Sequence, residues 1–243
     1  DYTLNKPVDL SSPGWHNKIY VETQLEGDEE NSNNRLDKEL FVSPTYNIPF
    51  TENFEDNYGY WRSNGENTTW EHGSPEGEHI DTSFSGSRAW VTDLDGRYGN
   101  LEDSYLETTC FNLSGNNIPI IEFMMKSESE ENNDGLALYY STDGGQTWDL
   151  MQKNPAYEWD WYNNNYIEAL GHEGWDTTFS NWTKIKQALP ENAADESSVK
   201  FKFIFKSDDN AEYEGFAIDD FKIYNAPPDV GVTNIEHPAD DCY

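Results

Sequence analysis

Two adjacent carboxylates, Asp219 and Asp220, sit inside Gly215-Phe216-Ala217-Ile218-Asp219-Asp220-Phe221-Lys222-Ile223-Tyr224, a run whose apolar members read as a buried strand. Strict alternation places Asp220 on the face of Phe216 and Ile218, and Phe221 and Ile223 then fall out of phase, as they do at a bulge. A buried, unpaired charge is costly, and the chain has only 15 Lys and Arg against 47 Asp and Glu, so a metal cation is the economical counter-charge. The upstream companion Phe50-Thr51-Glu52-Asn53-Phe54-Glu55-Asp56 supplies Glu55 and Asp56, and Asp81 and Ser85 add further oxygens. Calcium takes six to eight oxygen ligands, and carboxylates from distant strands together with loop carbonyls supply that number. The expected calcium set is therefore Glu55, Asp219 and Asp220, with Asp56, Asp81 and Ser85 as lesser members. The competing reading is a solvated acidic strand end. Asp93-Leu94-Asp95-Gly96 and Asn132-Asn133-Asp134-Gly135 are oxygen-rich turns that could host a second ion, although turn chemistry alone explains such segments more often.

A second candidate chemistry lies between Asn154 and Asn181, where aromatic rings are scattered among Asn, Asp, Glu and Gly. Rings stack on sugar faces while Asn and Asp bond hydroxyls, so Trp159, Trp161, Tyr162, Tyr166 and Trp175 form a possible carbohydrate platform. The alternative is a satellite core under a long loop, with the tryptophans turned inward. Both readings stand on sequence alone, although Trp159-Asp160-Trp161-Tyr162 is too dense to be wholly buried.

Catalytic chemistry has little support. His16, His72, His79, His172 and His237 show no HExxH spacing, and no GxSxG elbow occurs. Paired carboxylates are so common here that finding two suited to glycoside cleavage proves nothing. Ser141-Thr142-Asp143-Gly144-Gly145-Gln146-Thr147-Trp148 matches the Asp-box pattern of sialidase propellers, but it occurs once where a propeller repeats its blades. It reads as a structural hairpin with Asp143 bonding turn amides. The chain is expected not to be an enzyme.

The elements that must position these groups are strands. The chain has 243 residues and a formal charge of -32, which argues against nucleic acid and anionic membrane surfaces as partners. Thirty-six aromatic residues (Trp 9, Tyr 15, Phe 12) argue against a disordered acidic tail, and no apolar run is long enough to insert in a membrane. Short strands punctuated by Gly, Asn and Asp argue for an all-β, two-sheet jelly-roll sandwich. Residues 1–45 read as the last strands of another module, residues 46–226 as the jelly roll, and residues 227–243 as a linker with the first strand of a following module. The chain thus reads as a piece of a longer, repeat-built protein. Cys110 and Cys242 are expected not to pair with each other.

Several segments together carry a family resemblance. Phe54-Glu55, Asp81 to Ser87 with Ala89-Trp90, Tyr105-Leu106-Glu107 leading to Phe111-Asn112-Leu113-Ser114, and Gly215 to Phe221 occur in one order. That order resembles the MAM-like jelly rolls of bacterial surface adhesins and proteases, the cleaved-adhesin or choice-of-anchor type. Val8-Asp9-Leu10, Tyr20-Val21-Glu22-Thr23 and Gly27-Asp28-Glu29 resemble the end of the immunoglobulin-like modules found beside them, and Asp229 to Ile235 resembles the first strand of another. The resemblance implies a calcium ion tying the first strand to the last, secretion or surface display (often by the type IX route of gliding Bacteroidetes), and adhesion to an extracellular glycan or protein. Neighbouring modules of the same chain would be further partners. A carbohydrate-binding accessory module of a secreted hydrolase or protease is the alternative.

Overall fold

The computed structural model describes residues 12–24, 26–154 and 158–227. Strands β1 (Gly14–Glu22) and β2 (Arg35–Val42) form an antiparallel hairpin, joined by a polar connection that carries Gly27, Asp28, Asn33 and Asn34. Next come β3 (Thr45–Asn47), β4 (Phe50–Glu52), β5 (Arg62–Glu66), β6 (Trp70–Gly73), β7 (Ala89–Thr92), β8 (Asp103–Glu107) and β9 (Cys110–Asn112). The chain continues through β10 (Pro119–Glu128), β11 (Gly135–Ser141), β12 (Asp149–Leu150), β13 (Glu158–Trp159), β14 (Asn164–Ile167) and β15 (His172–Gly174). It ends, among the described residues, with β16 (Phe179–Ala188), β17 (Lys200–Lys206) and β18 (Gly215–Asn225). No α-helix occurs among the described residues, and so no helix is long and apolar enough to cross a membrane.

Two sheets dominate. One runs β13-β16-β10-β18-β7-β6, with β4 also pairing β18; the other runs β12-β11-β17-β8-β5. The sandwich is of the jelly-roll type expected from the sequence. Its core is filled from both inner faces: Ile121, Phe123 and Met125 of β10 and Ile185 of β16 meet Leu136 and Leu138 of β11 and Phe201, Phe203 and Phe205 of β17. The ladder between two long strands, β10 and β18, makes the Asp-Asp strand central to its sheet.

The phase slip read from that strand is present. Glu122 of β10 faces Lys222, but Met124 faces Asp219, so Phe123 alone stands opposite Asp220 and Phe221. Asp220 takes φ 46°, in the left-handed region that Asp tolerates better than most residues. Phe216, Ile218, Phe221 and Ile223 are consequently all fully buried despite their broken alternation. The bulge solves a packing problem, and it also aims the two carboxylates at a neighbouring loop.

The segment from Asn154 to Asn181 is not one loop. It contributes β13, β14, β15 and the start of β16. Trp161, Tyr162 and Trp175 enter the main core, their ring centroids 4.5–5.5 Å apart, with Trp175 meeting the other two edge to face. The Asp-box segment is a hairpin connection between β11 and β12, with Trp148 Nε1 donating to the Gly145 carbonyl at 3.1 Å.

Candidate functional site

The loop between β6 and β7 has almost no ladder of its own and is held by carboxylates. Glu214 accepts from the backbone amides of Glu78 (2.7 Å), His79 (2.9 Å) and Ile80 (2.6 Å). Asp219 Oδ2 accepts from the amides of Phe84 (2.9 Å) and Ser85 (3.1 Å), and its Oδ1 from the amide of Asp220 (2.7 Å). The Ser85 hydroxyl donates to Asp220 Oδ1 at 2.8 Å. Glu55 closes the far end of the loop, accepting from the amides of Ser87 (2.9 Å) and Arg88 (2.8 Å). Gly86, at φ 59°, lies so near this carboxylate that a Cβ there would overlap it.

Asp219 is fully buried, and among the described residues no Lys or Arg pairs with it. Lys222 Nζ, 3.9 Å from Asp220 Oδ2, is a distant partner for the pair. Burial pushes the Asp219 carboxyl up to about 6, against the pull of the donated amides of Ser85 and Asp220 and with the negative charge of Asp220 adding to the rise. A buried carboxylate left short of positive charge, beside a second carboxylate and a hydroxyl, is an all-oxygen donor set that fits a hard cation such as calcium. The structure thus brings Asp219, Asp220 and Ser85 together, whereas Glu55, from the β4–β5 connection, binds the same loop at Ser87 and Arg88 and does not join them as a third acid. It does not bring the lesser members in. Asp81 is exposed and turned to Lys126, whose Nζ lies 2.9 Å from its Oδ1, and Asp56 is exposed and takes no part in these hydrogen bonds. Among the described residues, the acids that gather their oxygens within 4.8 Å of one another as a set of three are Glu130, Asp134 and Asp208. Asp134 of that set is fully buried, and burial pushes its carboxyl up to about 6 even though it accepts from Tyr98 Oη at 2.7 Å. The turn containing Asp134 is legible in the sequence, with Glu130 four residues before it; the distant companion Asp208 is not.

The expected aromatic platform divides in two. Trp161, Tyr162 and Trp175 are at most 5% exposed and present no open ring face for a sugar to stack on. Each satisfies its polar atom inside: Trp161 Nε1 donates to the Met151 carbonyl (3.2 Å), Tyr162 Oη to the Leu138 carbonyl (3.2 Å) and Trp175 Nε1 to the Asp160 carbonyl (3.1 Å). Trp159 and Tyr166 remain outside, 64% and 55% exposed. Trp159, with Glu158, Ile120, Lys186, Ala226 and Pro227, lines an open cleft of about 340 Å³ at the edge of the larger sheet. Sequence reasoning missed Lys186 and its neighbours, although Lys184-Ile185-Lys186 showed two lysines on the face opposite a core isoleucine.

His72 and His79 direct Nε2 to the carbonyls of Phe54 (2.9 Å) and Phe179 (3.3 Å), and His172 Nε2 meets Tyr139 Oη at 2.6 Å. These three rings contribute to packing and loop anchoring. The side chain of His16 and the whole of His237, like Cys242, Tyr157 and the expected strand Asp229 to Ile235, lie outside the described residues. Cys110 is a buried thiol 3.4 Å from Ser198 Oγ.

Fold and site together define a non-helical, two-sheet jelly-roll module with carboxylate-anchored loops. The family model for Reelin subrepeat B matches residues 95–224, more than half of the chain, and the protein belongs to that family. The MAM-like label suggested by the sequence is not the one this match carries. Among solved structures, TmCBM61 in complex with β-1,4-galactotriose is 13% identical, covering 72% of this chain and 99% of its own at a TM-score of 0.45. The K1 cleaved-adhesin domain of Lys-gingipain from Porphyromonas gingivalis W83 is 14% identical, covering 74% and 99% at 0.44. The K2 cleaved-adhesin domain of Lys-gingipain is 17% identical, covering 72% and 99% at 0.45. No curated protein matches the chain.

Proposed function

We propose that this protein is a non-catalytic recognition module, acting outside the cell or on its surface, that binds a glycan on the cleft at Trp159. One observation carries the reading. In a segment dense in aromatic rings, Trp161, Tyr162 and Trp175 are sealed in the core while Trp159 stands 64% exposed at the mouth of an apolar-lined cleft. A large exposed ring beside a concavity is the arrangement on which a sugar face stacks, with polar neighbours left to bond its hydroxyls. A glycan array and calorimetry on the intact protein and on Trp159→Ala test it. Saccharide binding that Trp159→Ala removes, with the melting temperature unchanged, is the expected result. Binding that survives Trp159→Ala would place the ligand elsewhere. The same cleft serves equally in an adhesin or as an accessory module beside a secreted hydrolase.

The reading includes calcium as a structural ion. Asp219, Asp220 and Ser85 would hold it, with Glu55 fixing the other end of the loop. A bound dication would supply the positive charge that Asp219 lacks and join β18 to the β6–β7 loop. The support is the buried, unbalanced carboxylate and its all-oxygen surroundings.

A further inference from the structure

The face that carries Trp159 also carries a cluster of lysines. Trp159 of β13 stands directly across from Lys186 of β16, Lys186 from Glu122 of β10, and Glu122 from Lys222 of β18. At roughly 4.8 Å between neighbouring strands, this row spans about 14 Å. Lys184 lies two residues along β16 from Lys186, on the same face. Three lysines therefore stand around one carboxylate. Glu122 has both oxygens engaged: Oε2 accepts from Tyr224 Oη at 2.9 Å, and Oε1 faces Lys184 at 3.5 Å and Lys222 at 3.9 Å. Lys186 makes no ion pair among the described residues; its Nζ lies 5.5 Å above the Tyr224 ring. Glu158, the acid lining the cleft, is taken by Lys153 at 3.2 Å. Asp220, which also faces Lys222, belongs to the calcium group proposed above.

Such a surplus of cations in a chain with 47 acidic and 15 basic residues is a local reversal of sign. From it we infer that the cleft takes an anionic saccharide: Trp159 stacks on the sugar ring, and Lys186, with Lys184 and Lys222 behind it, receives a carboxylate or sulfate. This rests on the glycan reading of the same cleft. The overall charge of -32 repels long polyanions, but at physiological ionic strength the Debye length is about 8 Å, so an oligosaccharide confined to the row sees mainly the lysines. The row favours short ligands or chain ends for the same reason.

Calorimetry with trigalacturonate, a sulfated heparin hexasaccharide and neutral galactotriose, at one fixed calcium concentration, tests the inference. The expected result is that at least one anionic ligand binds about tenfold or more tightly than the neutral one, with the preference shrinking between about 50 and 300 mM NaCl. Lys186→Ala and Lys222→Ala should remove the preference, Lys186→Arg should retain it, and Trp159→Ala should weaken every ligand. Which anion binds more tightly distinguishes a carboxylate from a sulfate. Galactotriose bound as well as both anions would overturn the inference and leave the glycan reading standing. Anion binding indifferent to Lys186→Ala and Trp159→Ala would overturn it by placing the site elsewhere. Absence of binding by all three ligands would overturn this inference, while the array decides the broader reading separately. Melting curves on each variant exclude unfolding as the cause.

Discussion

Glu107 and Asp219 are carboxylates buried in strands of the two facing sheets, and their surroundings are opposite. Glu107 Oε1 receives Lys200 Nζ at 2.9 Å and Arg62 Nη2 at 3.0 Å, so two cations hold it. Burial raises the Glu107 carboxyl, but the hydrogen bond and charge of Lys200, with Arg62 behind, outweigh that and leave it below the usual carboxylate range. Asp219 receives amides instead and is pushed up to about 6. One acid is neutralised by the protein; the other is solvated by dipoles but not neutralised. In a chain this short of Lys and Arg, that difference is the ground for proposing a cation at Asp219, and it can be broken by experiment.

The largest effect is expected on the balanced acid. Glu107→Gln leaves Lys200 buried without its counter-ion, and Lys200→Met leaves Glu107 to the half-exposed Arg62. Breaking a buried pair from one side costs about 3–5 kcal/mol, which in a domain of this size lowers Tm by roughly 6–20 °C. Thermal melts of both variants should show this loss equally with calcium and with EDTA. A loss that calcium repairs would mean that the two acids do not differ as described.

Next comes the unbalanced acid. An ion bound only by the native state stabilises it by about 2.7 kcal/mol at a hundredfold excess over Kd, so calcium should raise Tm by roughly 5–11 °C over EDTA, and sodium chloride should not. Asp219→Asn, Asp220→Ala and Glu55→Ala should each flatten that response. In EDTA at neutral pH, Asp219→Asn should lose less than Glu107→Gln, because the amide acceptor it gives up is offset by removal of a charge the fold does not balance, whereas Glu107→Gln melts lower with calcium and with EDTA alike. A melting curve indifferent to chelation, with no metal by native mass spectrometry, would leave Asp219 and Asp220 as an amide-bound loop anchor.

What the sequence disclosed and what it withheld follow the same line between local and distant partners. The bulge was legible because Phe216 and Ile218 against Phe221 and Ile223 change phase within one strand. So was the hairpin around Asp143, whose bonds all lie within a few residues. The fate of the rings was not. Trp161 and Tyr162 are buried because carbonyls of Met151 and Leu138 await their polar atoms, and nothing in the local pattern separates them from Trp159 two residues earlier. Likewise Lys184 and Lys186 were visible as an alternation, but their meeting with Glu122 and Lys222 is set by the β16-β10-β18 register. Asp81 is a lesser member of the expected calcium set, whereas the structure turns it to Lys126 of β10, a partner 45 residues away.

A smaller effect sharpens the comparison through pH. Asp219 has a folded pKa near 6 against an ordinary 3.8, so the protonated form favours the fold. That contribution is present in full below about 3.8 and is lost as pH rises through about 6. Asp134, also near 6, acts in the same direction. Glu107, held low, acts oppositely: its contribution is present above the ordinary value of 4.5 and is lost as pH falls through its depressed folded pKa. In EDTA, Tm should therefore rise on acidification from pH 7 to about 5, and Asp219→Asn should remove part of the rise. Calcium should remove that same part in the parent protein by keeping Asp219 ionised. An identical pH profile with calcium and with EDTA would separate the burial of Asp219 from any metal.

The smallest effect concerns an acid that also binds amides and hydroxyls but lies in a turn open to water. Asp143 accepts from the amides of Gln146 (2.8 Å) and Thr147 (2.9 Å) and from the Thr147 hydroxyl (2.7 Å), and the bonds from Thr147 hold its carboxyl well below the usual range. Those bonds form across a turn in contact with water, so their loss is offset by hydration, and Gly144 and Gly145 still supply the positive φ angles the turn requires. The ring of Trp148 remains held by its bond to Gly145 and by Lys202, whose Nζ lies 4.0 Å from its centroid. Asp143→Ala should accordingly lower Tm slightly, leave the calcium response intact, and raise hydrogen exchange at Gln146 and Thr147 without touching β17. A loss of calcium dependence in Asp143→Ala would show that this hairpin and the β6–β7 loop are coupled through the sandwich, and would end the treatment of Asp219 as an independent site.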